Sequence, residues 1–116
     1  MESQDATYTY IFNLADHVSK LLEQAPHATE HVQGRAIFTD DRVKVLAFPF
    51  EAGQALTEHT APHPIVLHFL DGEANVTLGT DAVDARAGTW IQLLPHVPHS
   101  IHARTACMML LTVFHS

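Results

Sequence analysis

A chain of 116 residues, 47% hydrophobic and 16% charged, predicts one folded domain and not a disordered chain. Six Lys and Arg against 13 Asp and Glu, a formal net charge of -7, disfavour a nucleic-acid partner and an anionic membrane surface. A single cysteine, Cys107, excludes an internal disulfide and a cysteine-rich zinc module. The opening MESQDATYTY has no basic segment ahead of an apolar stretch, and no apolar run reaches membrane-spanning length. These features predict a cytoplasmic protein with no membrane helix.

In chain order, Leu14, Val18, Leu21 and Leu22 recur at helical spacing behind Asn13, a residue type favoured at helix N-caps. Pro26 ends that pattern, so residues 13–23 predict one short amphipathic helix. From about Val32 the period changes to two. Residues 32–39 read as a strand, Asp40-Asp41 as a turn, and Arg42 to Val45 alternates like a half-buried strand. Gly53 breaks the run, 54–61 is a further strand, and Pro62-His63-Pro64 is a turn. Ile65 to Leu70 is apolar, Asp71-Gly72 signals a tight hairpin, and Glu73 to Leu78 is its return strand. Turns at Gly79-Thr80-Asp81 and Ala87-Gly88 separate 82–86 from 89–94. Segments 100–103 and 107–114 complete the series. Eight or nine short strands, with turns about every 8–12 residues, predict an all-β sandwich or closed barrel. The division expected is a tail and helix over 1–31 and a barrel over 32–116.

Ten histidines in so short a chain direct attention to their placement, because histidine is the commonest metal ligand. Gly53 is followed after five residues by His59, and Gly72 closes the next strand. Some forty residues on stand Gly88, Pro95 and His99, the last within Val97-Pro98-His99-Ser100. These two segments resemble the two motifs of the cupin superfamily, and the likeness covers about residues 32–114. It implies a cupin-type double-stranded β-helix, or jelly-roll barrel, to which the spacing over 13–23 adds one N-terminal α-helix. Two ligand positions of the family differ here. The second histidine of its His-x-His falls on Ala61, and its glutamate falls on Ile65. Neither side chain binds a metal.

The resemblance implies a small organic ligand in the barrel, with His59, His99, Ala61, Ile65, Leu67 and Phe69 around it. Two functional readings follow. In the first, His59, His99 and His63 hold a divalent ion (Zn, Fe, Mn or Ni) in an enzyme of dioxygenase, isomerase or lyase type. His63 joins the site only if its turn curls over the barrel mouth; otherwise it is a solvated turn residue. In the second, the metal site is lost and the barrel binds or senses a ligand without catalysis. Strand parity puts Ile65, Leu67 and Phe69 on one face and His68 on the other, unless a bulge intervenes. With Val66, His68 would then lie on an outer face suited to a homodimer. His96 and His102 are expected outside the site, and Glu58 at the surface. His17, His27 and His31 have no assigned role, His115 is placed at a frayed end, and Cys107 is expected to be a buried, inert thiol. Either Trp90 and Gln92 or Ile91 and Leu93 face inward; Phe48, Met108 and Met109 are candidate core. No phosphate-binding glycine loop and no nucleophile elbow occurs.

Overall fold

The structure is a computed structural model and describes Asn13, Leu14, Asp16 and residues 32–115. Nine strands make up the described part: β1 (Arg35–Thr39), β2 (Val43–Phe50), β3 (Ala55–His59), β4 (Ile65–Asp71), β5 (Glu73–Leu78), β6 (Asp81–Arg86), β7 (Trp90–Leu93), β8 (His99–Ala103) and β9 (Cys107–Phe114). They form two sheets, β1-β2-β9-β4-β7 and β3-β8-β5-β6, with every pairing antiparallel. This is the jelly-roll barrel that the strand spacing and the resemblance imply. The expected helix over 13–23 lies outside the described residues except at three positions. There the Asn13 side-chain oxygen accepts the Asp16 backbone N–H at 3.0 Å, as an N-cap does, and Leu14 and Asp16 have helical backbone.

Alternation decides what each strand buries. Ile65, Leu67 and Phe69 on β4 are 2%, 0% and 0% exposed, and they meet Val76, Ile101, Met109 and Leu111 between the sheets. Burying each such side chain contributes about 1.5–3 kcal/mol. Phe48 belongs to the same core. Met108 does not: it points to the opposite face of the five-stranded sheet, against Ile37 and Ala47, where Leu14 also packs. The inward pair on β7 is Ile91 and Leu93, while Trp90 is 57% exposed. His68 lies across from Leu110 and Trp90 on the outer face, as parity predicts.

Asp71-Gly72 is not the tight hairpin expected from its sequence. β4 bonds to β7 and β9, whereas β5 bonds to β6 and β8, so the chain changes sheets at this point. Gly72 has φ 82°, and a side-chain carbon there would run into the Ala106 carbonyl oxygen and stand 2.6 Å from Cys107 Cβ. The glycine serves a crowded corner instead of a two-strand turn. At the β1–β2 connection, Asp40-Asp41 turns as expected. Asp40 Oδ1 accepts the backbone N–H groups of Arg42 and Val43, both at 2.8 Å, and these bonds hold the Asp40 carboxyl below its usual range.

Candidate functional site

The site forms where β3 ends and β8 begins. His59 is the last residue of β3, His99 is the first of β8, and the two are paired in register. Leu56 pairs with Ile101, so three steps on β3 match two on β8. That extra residue is a bulge, and it turns His59 to the same side as Leu56. The bulge has no side-chain signature in the sequence.

The rings meet through their Nε2 atoms, 3.1 Å apart, with centroids at 4.3 Å and planes at 61°. Each ring is fixed from behind. His59 Nδ1 lies 2.9 Å from the Thr57 carbonyl oxygen, and His99 Nδ1 lies 3.0 Å from that of Val97. A carbonyl only accepts, so each Nδ1 is assigned the hydrogen and each Nε2 presents its lone pair. Backbone anchoring of this kind orients metal-ligating histidines. His99 is 1% exposed, whereas His59 is exposed. Burial pushes the His99 imidazole below its ordinary range, the Val97 bond pulls it up, and neighbouring His59 pushes it further down.

The surroundings are apolar. Leu78 pairs with His99 from the other side, and Leu56, Leu78, Ala61 and Val97 pack against the main core. Ile65 opens β4 at this end, fully buried; Leu67 and Phe69 continue inward as wholly buried core. The Ala61 carbonyl accepts the His96 backbone N–H at 2.7 Å, which ties two loops together over the site. His96 itself is exposed, with φ 70°.

Of the three histidines expected to hold a metal, the structure brings His59 and His99 together. The His63 ring lies instead against His115, with centroids 5.2 Å apart and planes at 84°. Among the described residues no group of three His, Cys, Asp or Glu side chains forms a metal cage. The donor set therefore fits a divalent ion in kind and in spacing, but it falls short in number, since zinc and its neighbours normally take three or four protein ligands. Glu58 is exposed and His102 is exposed on β8, as expected. Sequence reasoning missed Gln54, which is buried at the other end of β3. Its side-chain oxygen accepts the Glu51 N–H at 2.8 Å, and its backbone carbonyl accepts from Ala103.

No protein-family profile matches the chain, and no curated protein matches it in sequence. Solved structures do. A cupin superfamily protein from Desulfitobacterium hafniense DCB-2 is 22% identical, with a TM-score of 0.71 over 83% of this chain and 88% of that one. An RmlC-like cupin from Desulfovibrio desulfuricans is 20% identical, with a TM-score of 0.67 over 98% and 96%. KdgF from a Halomonas species is 16% identical, with a TM-score of 0.67 over 73% and 80%. The chain thus has the cupin fold, built as a single small barrel. Among the described residues, no helix is long and apolar enough to cross a membrane.

Proposed function

We propose that this barrel binds a small organic ligand at the end marked by His59 and His99, and that it holds no resident three-ligand metal. The observation that carries this reading is the isolated imidazole pair. The two Nε2 atoms meet at 3.1 Å, while Ala61 and Ile65, the positions that the cupin resemblance gives to further ligands, carry apolar side chains. Such a pair can accept a ligand's O–H or N–H donor, and the surrounding Leu56, Leu78 and Ile65 contribute apolar contact.

Metal content per chain, measured on purified protein before and after chelation, tests the proposal. The native protein should carry well below one ion. Ala61→His supplies a third imidazole without burying a carboxylate, and Ala61→His with Ile65→Glu restores the full family pattern. Either variant should retain close to one ion per chain.

A second reading, a metal-dependent enzyme of dioxygenase, isomerase or lyase type, draws on the same 3.1 Å spacing, which is that of two neighbouring metal ligands. In that case His59 and His99 would hold the ion, and the ion would supply Lewis-acid or oxygen chemistry. Near one ion per native chain, lost on His99→Ala, would overturn the ligand-barrel reading in favour of this one.

A further inference from the structure

We propose that the segment 13–23 docks as an amphipathic helix on the outer face of the five-stranded sheet, over β1, β2 and β9, and that this cover leaves only the β7 side of the face open to a second copy. The contact does not depend on what the barrel binds.

Burial is the first observation. Ile37, Ala47 and Met108 point away from the inter-sheet core, yet they are 8%, 0% and 7% exposed. Trp90, on the same face, is 57% exposed, and Phe114 at its far end is 42% exposed. A bare sheet face would leave all five open to water. A second layer therefore lies over the β1–β2–β9 side and stops short of β7.

Contact is the second. Leu14 packs against the Ile37, Ala47 and Met108 cluster. The Asn13 side chain caps the Asp16 N–H beside it, so the chain enters a helix at the point where it touches the sheet. One leucine cannot close off three side chains. The residues that follow in sequence can: Val18, Leu21 and Leu22 fall on Leu14's side of a helix, whereas Lys20 and Glu23 fall on the opposite side.

Dimensions are the third. A helix over 13–23 is about 16 Å long and, with its side chains, about 10–12 Å wide. Five strands span about 19 Å. A single helix thus covers part of the face and leaves the rest, which matches the change from a buried Met108 to an exposed Trp90. Residues 24–31 reach up to about 26 Å, enough to return the chain to Val32, whose N–H donates to the Ala55 carbonyl of β3 at 3.1 Å.

Urea unfolding of the full chain tests this. Leu21→Ala keeps helix propensity and removes only packing, so it should raise the unfolding equilibrium constant about tenfold or more. Lys20→Ala should leave that constant within about twofold. A double-mutant cycle places the contact. Leu21→Ala combined with Leu110→Ala, on the outer face, should fall at least about twofold short of additive; combined with Ile91→Val, on the inner face, it should be additive. The loss should stay the same when the protein is diluted tenfold. If Leu21→Ala does not fold, Leu21→Val carries the same cycle. A Leu21 variant no less stable than Lys20→Ala would overturn the proposal, as would coupling to Ile91 in place of Leu110. A loss that grows on dilution would assign the cover to a second copy and overturn it too.

Discussion

His99 is the residue whose environment departs most from that of a free side chain. It is buried, bonded at Nδ1 to a carbonyl, and faced at Nε2 by a second imidazole. Burial leads the causes that lower its folded value below 6.5. Between the folded and the ordinary value the unfolded chain binds the proton and the folded chain does not. Stability should therefore be fully present above about pH 6.5 and decline as pH falls below it. Urea unfolding between pH 5 and 8 reads this directly; a midpoint that rises on acidification through that window would contradict it. His59 and His99 were legible in the sequence because their spacing from Gly53 and Pro95 resembles a known pattern. The 3.1 Å contact was not, because it depends on a bulge and on the carbonyls of Thr57 and Val97, which are backbone features without side-chain identity. His63 shows the reverse case. Its distance along the chain from His59 is short, yet its ring is drawn to His115, just past the end of the neighbouring strand β9. Cys107 matches its expectation as an inert thiol. It is buried, its Sγ lies within 3.4 Å of the Thr105 carbonyl oxygen, and burial with nearby Asp71 pushes the thiol up.

Strands were legible as elements because a period of two survives burial on one face. Their partners were less so. Asp71-Gly72 carries the local chemistry of a hairpin, but the flanking residues Ile65, Leu67, Phe69, Ala74 and Val76 are all buried between sheets. A hairpin would put both strands in one sheet; the core is better covered when the chain crosses to the facing one. Gly72→Ala should cost at least about 2 kcal/mol, since it combines a left-handed φ with a clash against rigid backbone. Gly53 also has a positive φ, 87°, but nothing lies within 4 Å of the added carbon. Gly53→Ala should cost only about 1 kcal/mol, the backbone part alone. Chemical denaturation of both variants separates the two contributions, and equal losses would show that crowding at the corner is unimportant. At the outer edge, Arg104 bonds Asn75 at 2.8 Å and Asp84 at 2.9 Å, linking β5, β6 and the end of β8 on an exposed face. Exposed pairs of that type contribute about 0–1 kcal/mol, so they tune the sheet and do not define it.

At the scale of the molecule, the barrel has two unlike ends and two unlike faces. Five of its seven described histidines, His59, His63, His96, His99 and His115, gather at one end. The outer face of the five-stranded sheet carries a second apolar cluster of Ile37, Ala47 and Met108, with Leu70 and Leu110 beside it. Leu14 covers part of that cluster, and Trp90 and His68 extend the face toward the β7 edge. A homodimer through this face predicts a solution mass twice the 12.8 kDa of the chain. Light scattering at micromolar concentration reads it, Trp90→Lys should shift the mass toward the monomer, and a monomer mass for the native protein would remove the dimer. The sequence offered His68 and Val66 as markers of this face through parity alone. It did not show Trp90 there, because alternation by itself leaves open which way a strand is turned.

The pairing of β2 with β9 also governs how the chain comes together in time. Val43 lies opposite Phe114 and Phe50 opposite Cys107, so the middle of the larger sheet joins residues up to 71 positions apart. During synthesis, β2 and β4 emerge long before the strand that bridges them. Until β9 is made, the partner edges of both stay open and the inter-sheet core has only part of its lid. The smaller sheet needs no strand beyond β8, but the larger one cannot close before β9 is made, and its closure is a late, collective event. Folds dominated by such distant pairings close in milliseconds to seconds, which is slow for so short a chain.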